Sequence, residues 1–173
     1  MASETGNNKS ALIFDELKKH GRAARIIDVE EEKVKLVIFS FSGEFYAFYG
    51  SDIKEILPMV NIFFVPGTPD FILGLINLRG DIESVIDVNY FLSLPACQRT
   101  QCGRIAIAEK GGIRSGIILE SVTDVADVPV SSIKPSSSML DSTTKEFVTG
   151  ETMFKGKNVT VLAIGQILER IRG

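Results

Sequence analysis

Gly74-Leu75-Ile76-Asn77-Leu78-Arg79-Gly80-Asp81-Ile82-Glu83-Ser84-Val85-Ile86-Asp87-Val88 is the stretch that decides how this chain is read. Two apolar-rich runs flank Arg79-Gly80-Asp81, a short polar break containing the residue type that turns without steric cost. The pattern predicts a β-hairpin with Arg79 at its tip. A planar guanidinium on a rigid tip loses little freedom when it binds, so Arg79 is a candidate for meeting a partner's carboxylates or carbonyls. Two plainer roles stay open for it: a solvated charge, or an internal ion pair with Asp81 or Asp87. Asn77 can cap its own turn through a local side-chain hydrogen bond. Asp81, Glu83 and Asp87 read as solvated strand carboxylates rather than an acid–base pair, because no nucleophile or histidine stands near them in sequence.

Outward from the hairpin the chain is a series of short β-rich runs broken by glycine. Runs 34–41 and 45–49 flank Ser42-Gly43-Glu44 as a second hairpin. Segment 52–57 reads as a strand or as one helical turn and stops at Pro58. Run 62–65 ends at the Pro66-Gly67-Thr68-Pro69 loop, and 70–73 and 90–94 read as helical turns. In the second half, 104–108 and 113–119 flank Glu109-Lys110-Gly111-Gly112. Run 122–128 follows, then 147–154 and 158–164 around Lys155-Gly156-Lys157, with a terminal helix over 167–171. Ser131 to Lys145 is Ser-, Thr- and Pro-rich and reads as a long surface loop. Four glycine-centred turns, two on each side of a linker at 95–103, predict two small barrels in tandem within residues 33–173. Residues 1–32 are polar and charged and read as a flexible arm with one weak helix over 11–24 capped by Ser10.

Length and composition narrow the function classes. A chain of 173 residues, 45% of them apolar, can build one domain or two small subdomains around a core. The net charge of −3 and the absence of any basic block argue against nucleic acid or an anionic membrane as partner. No apolar run approaches the roughly 20 residues of a membrane-spanning helix. The first residues have no charged segment leading into an apolar one, so no signal peptide is expected and the expected location is cytoplasmic. Cys97 and Cys102 are read as two thiols in the linker. They lack the Cys-X-X-Cys spacing of redox pairs, and zinc would need two further ligands. His20 is the single histidine and lies far from them. There is no Gly-x-Ser-x-Gly elbow, Gly-x-Gly-x-x-Gly loop or Walker loop, so catalysis, cofactor and metal are not expected.

Four elements, in order, resemble the CheW-like family of chemosensory adaptors. They are Ile53-Lys54-Glu55-Ile56, the approach from Val65 through Pro66-Gly67-Thr68-Pro69 to Gly74, the motif Asn77-Leu78-Arg79-Gly80, and the run from Gly116 through Glu120 to Val125. The resemblance covers about 33–170. It implies an all-β fold of two SH3-like five-stranded barrels around a shared hydrophobic core, with short helical turns and a C-terminal helix. It also implies a non-catalytic adaptor that joins the cytoplasmic tip of methyl-accepting chemoreceptors to the regulatory domain of a CheA-type histidine kinase, and that meets membrane receptor arrays only through its partners. On that resemblance the receptor-binding residues are Arg79, Asn77, Gly80, Ile53 and Glu55, with the kinase on a different surface. Ser84 departs from the family's usual proline, Glu120 from its usual aspartate, and Tyr46-Ala47-Phe48-Tyr49-Gly50 is bulkier than its usual strand. A small β-barrel enzyme using strand carboxylates, and an adaptor of a non-flagellar pathway, remain the alternatives.

Overall fold

The computed structural model describes residues 30–136 and 141–173. The arm at 1–32, with its expected helix over 11–24, therefore lies outside the described residues apart from 30–32.

The β-rich runs form ten strands: β1 (Lys33–Phe41), β2 (Glu44–Tyr49), β3 (Ile53–Pro58), β4 (Ile72–Leu78), β5 (Asp81–Ile86), β6 (Arg104–Lys110), β7 (Ile113–Leu119), β8 (Ser121–Pro129), β9 (Val148–Phe154) and β10 (Lys157–Leu162). Two short helices, α1 (Ser142–Lys145) and α2 (Ile164–Glu169), and 3-10 turns at Gly50–Asp52, Val88–Tyr90 and Val130–Ser132 complete the described elements. Four hairpins close on two-residue loops whose residues both have positive φ: Ser42-Gly43, Arg79-Gly80, Gly111-Gly112 and Lys155-Gly156. That is the type I′ geometry, whose twist matches that of the flanking strands.

The strands make two five-stranded sheets, ordered β8-β1-β2-β10-β9 and β3-β6-β7-β5-β4. Each has one parallel pair, β2 with β10 and β5 with β7. In each, the chain leaving one edge strand reaches the other edge through a single bridge, Lys134 to Glu151 in the first and Phe63 to Leu75 in the second. The two orders match position by position, so the barrels share one topology.

The tandem arrangement expected from the sequence is corrected by this topology. The linker at 95–103 joins β5 to β6 inside one sheet, while β1 and β2 share the other sheet with β8, β9 and β10. The second barrel, β3 to β7, is thus inserted within the first. The pairings of β1 with β8 and of β2 with β10 are the physical reason: they join strands far apart in sequence and need no tight turn that a local pattern would reveal.

Smaller corrections follow the same register. Ile72 and Leu73 belong to β4, not to a helical turn, and within 62–65 only Phe63 pairs. The expected loop from Ser131 to Lys145 contains a 3-10 turn, the Lys134 bridge and α1, capped by Asp141 accepting from the Thr144 amide. The terminal helix begins at Ile164 rather than 167.

Leu36, Ile38, Ala47, Val159 and Val161 fill the interior of the first barrel. On the alternate positions of β1 and β2, Phe39, Phe41 and Phe48 join Ile86, Ala106 and Ile117 of the second barrel in a shared core. The Phe39 and Phe48 rings lie 4.7 Å apart between centroids. The unusually aromatic β2 is explained here: Tyr46 and Phe48 face the other barrel while Ala47 faces inward. Each fully buried phenylalanine contributes about 1.5–3 kcal/mol relative to exposure. Ser84 shares a 2.9 Å hydroxyl contact with the buried Ser115.

Candidate functional site

Arg79 sits where the sequence puts it, at the tip of the β4–β5 hairpin. Its φ is +55° and that of Gly80 is +99°. Leu78 pairs with Asp81, so the loop is just Arg79-Gly80. Asn77 Oδ1 accepts the Gly80 amide at 2.9 Å, which ties the turn from inside. Asn77 therefore fixes the tip that carries Arg79.

The guanidinium is paired with neither Asp81 nor Asp87. Arg79 Nη1 donates to Glu55 Oε1 at 3.2 Å and Nη2 donates to Oε2 at 2.8 Å, a fork-to-fork pair. The arginine side chain is 74% exposed, against 24% for Glu55. Two of its five donors are thus engaged and the rest face outward. In water so open a pair contributes at most about 1 kcal/mol to folding; its effect is to orient the fork.

Glu55 can reach the tip because β3 carries a bulge. Ile53 pairs with Ala108, Glu55 with Ile107 and Ile56 with Ala106, leaving Lys54 as the extra residue. The bulge puts Ile53 and Ile56 on the face of the shared core, while Glu55 projects from the opposite face. Ile53 and Ile56 are half-buried and pack against that core. Arg79, Glu55, Asn77 and Gly80 are thus brought into one cluster. Ile53 belongs to the same strand as Glu55, on its other face.

Two of the three supposedly solvated carboxylates are buried. Glu83 is 9% exposed and pairs with Arg114 at 2.9 Å. Asp87 is 4% exposed; its Oδ1 accepts the Asn89 amide at 3.0 Å and its Oδ2 the Cys97 amide at 2.8 Å. Burial pushes the Asp87 carboxyl above the usual range, and the two amide bonds oppose that shift. Cys97 is therefore more than a linker thiol: its backbone anchors the linker to the end of β5. Its own thiol is pushed up to about 12 by burial, with Asp87 and Glu120 adding to the shift. Both cysteines are free. The sequence held a faint sign of the Asp87 anchor in Asp-Val-Asn, an acceptor two residues before a turn amide.

A cleft of about 740 Å³ opens between Phe71, Phe91, Phe147 and Arg170. The Phe91 ring lies 5.0 Å from Phe71 and 5.1 Å from Phe147. Among the described residues no cluster of His, Cys, Asp and Glu could hold a metal ion, and no helix is long and apolar enough to cross a membrane.

Comparison with known proteins places this geometry among relatives. A family model described as CheW-like domain matches residues 35–172. The chemotaxis protein CheW of Bacillus subtilis is 35% identical over 100 residues, which is 58% of this chain and 64% of that protein. The chemotaxis protein CheW of Helicobacter pylori is 24% identical over 95% of this chain and 98% of its own length. Among solved structures, the crystal structure of the scaffolding protein TtCheW from Thermoanaerobacter tengcongensis superposes with a TM-score of 0.69 at 31% identity, covering 77% of this chain and 86% of that one.

Proposed function

The chain belongs to the CheW-like domain family, and on that premise we propose that it is a non-catalytic adaptor coupling chemoreceptors to a CheA-type histidine kinase. The receptor's cytoplasmic tip docks on the Arg79 hairpin and the β3 edge, and the kinase's regulatory domain docks on a separate surface. The observation that carries this reading is the oriented guanidinium: Glu55 holds one side of the fork while the remaining donors point to solvent. A receptor helix can meet those donors with a carboxylate or with carbonyls; Ile53, on the opposite face of β3, lies outside that contact. Weak contacts on two surfaces gain strength from effective concentration once the adaptor is held in an array.

The test is assembly. The intact chain, a soluble receptor-tip fragment and the kinase regulatory domain are mixed, and the ternary complex is sought by co-purification. Arg79→Ala is expected to lose the receptor and keep the kinase, with Arg79→Lys intermediate because it keeps charge but not the fork. Absence of a ternary complex with the unmodified chain overturns the adaptor reading. Loss of both partners in the alanine variant overturns the assignment to Arg79.

A further inference from the structure

The Arg79 site is repeated in the other barrel. Val122-Thr123-Asp124-Val125 opens β8 as Ile53-Lys54-Glu55-Ile56 opens β3, and the register repeats with it. Val122 pairs with Phe39, Asp124 with Ile38 and Val125 with Val37, so Thr123 is the bulged residue where β3 has Lys54. Phe147, Gly150, Phe154, Lys155 and Gly156 recur at the spacing of Phe71, Gly74, Leu78, Arg79 and Gly80. A Cβ on Gly150 would lie 2.5 Å from the Lys134 carbonyl oxygen, as one on Gly74 would lie 2.2 Å from that of Phe63.

Lys155 stands at the β9–β10 tip with φ +49°. Its Nζ bonds Asp124 Oδ2 at 2.7 Å, beside the 2.8 Å of Arg79 and Glu55. The lysine is 71% exposed, against 74% for the arginine. The Lys155 bond also holds the Asp124 carboxyl below its usual range.

What differs between the two sites points to a ligand. Val125 is 47% exposed and Met153, in the place of Asn77, is 63% exposed. Both are out of phase with the interior residues Ile38 and Val159, so they share the outer face of the barrel. Lys157 stands where the first site has Asp81, its ammonium 4.2 Å from the centre of the Phe45 ring. The second site is thus more cationic and more apolar than the first, and it is complementary to a carboxylate carried beside apolar side chains.

We propose that the β9–β10 hairpin, with Lys155 at its tip and Met153 and Lys157 on the strands that lead to it, is a second docking site for an acidic, apolar helical segment of the receptor tip. It rests on the receptor reading of the Arg79 hairpin. One adaptor then holds two receptor segments, one per barrel. The second is held more weakly, because an ammonium lacks the bidentate geometry of a guanidinium.

The experiment is calorimetric titration of the intact chain with the soluble receptor-tip fragment at low salt. Arg79→Asn and Lys155→Asn remove each cation in turn, and Asn-Gly is itself favoured in a type I′ turn, so both hairpins are kept. The unmodified chain is expected to show two sites. Lys155→Asn weakens the weaker one about fivefold or more, the loss of one charge-assisted contact, and leaves the tighter one unchanged. In Arg79→Asn, amide shifts on titration should be confined to Met153, Lys155, Lys157 and their neighbours. A single site that Lys155→Asn leaves unaltered overturns the second site and leaves the Arg79 reading standing. No binding by the unmodified chain overturns both.

Discussion

Replacing Arg79 by glycine separates the role of the tip in binding from its role in folding. A non-glycine residue in the left-handed region costs about 1–2 kcal/mol, which glycine relieves. Against that gain stand the larger unfolded-state freedom of glycine, about 0.5–1 kcal/mol, and the loss of an exposed ion pair, at most about 1 kcal/mol. The sum runs from a loss of about 1 kcal/mol to a gain of about 1.5 kcal/mol. For a chain of this size it lowers the melting temperature by no more than about 4 °C. Affinity for the receptor fragment should instead fall by about 1–3 kcal/mol, roughly 5- to 150-fold, because the charge-assisted contact is gone. Differential scanning calorimetry and titration of the same preparation measure both quantities. A melting temperature lowered by more than about 5 °C, with receptor and kinase affinities reduced together, would refute the reasoning and make Arg79 a structural residue.

Asp87→Asn should destabilise the fold by about 1–3 kcal/mol at pH 7 in urea titrations, because the amide can accept only one of the two buried N–H groups. The folded carboxyl lies above its unfolded value, so its contribution is full below about pH 3.9 and is lost as pH rises through the folded value; the gap between variant and parent should narrow over that range, and a gap that widens refutes the assignment. Gly74→Ala drives a Cβ into the Phe63 carbonyl and should cost more than about 2 kcal/mol, whereas Gly80→Ala meets nothing and should cost only about 1 kcal/mol of left-handed strain. Equal losses in chemical denaturation would contradict that ranking. At pH 8, a maleimide reagent should label the exposed Cys102 rapidly and leave Cys97 unlabelled until the chain unfolds; mass spectrometry showing two rapid labels counts against the buried anchor.

The hairpins were legible because a two-residue loop between alternating strands is a local pattern. Arg79-Gly80 and Asn77 carry their turn geometry within four residues, and the structure places them as the sequence predicts. The family motifs were likewise contiguous, so the all-β fold and the hairpin at its centre were readable from the chain alone. The partners of those residues were not. Glu55 lies 24 positions before Arg79 and reaches it only because a bulge in β3 turns it away from the core. Cys97 lies ten positions after Asp87, on a linker whose path no periodicity describes. The interleaving of the barrels depends on β1 pairing with β8 and β2 with β10. Neither pair is joined by a tight turn, so their pairing leaves no signature in any short window. Sequence by itself determined the turns, the strands and the residue at the tip. Tertiary structure decided which strands share a barrel, which carboxylate orients the arginine and which carboxylates are buried, because each is settled by packing between segments that local chemistry leaves independent.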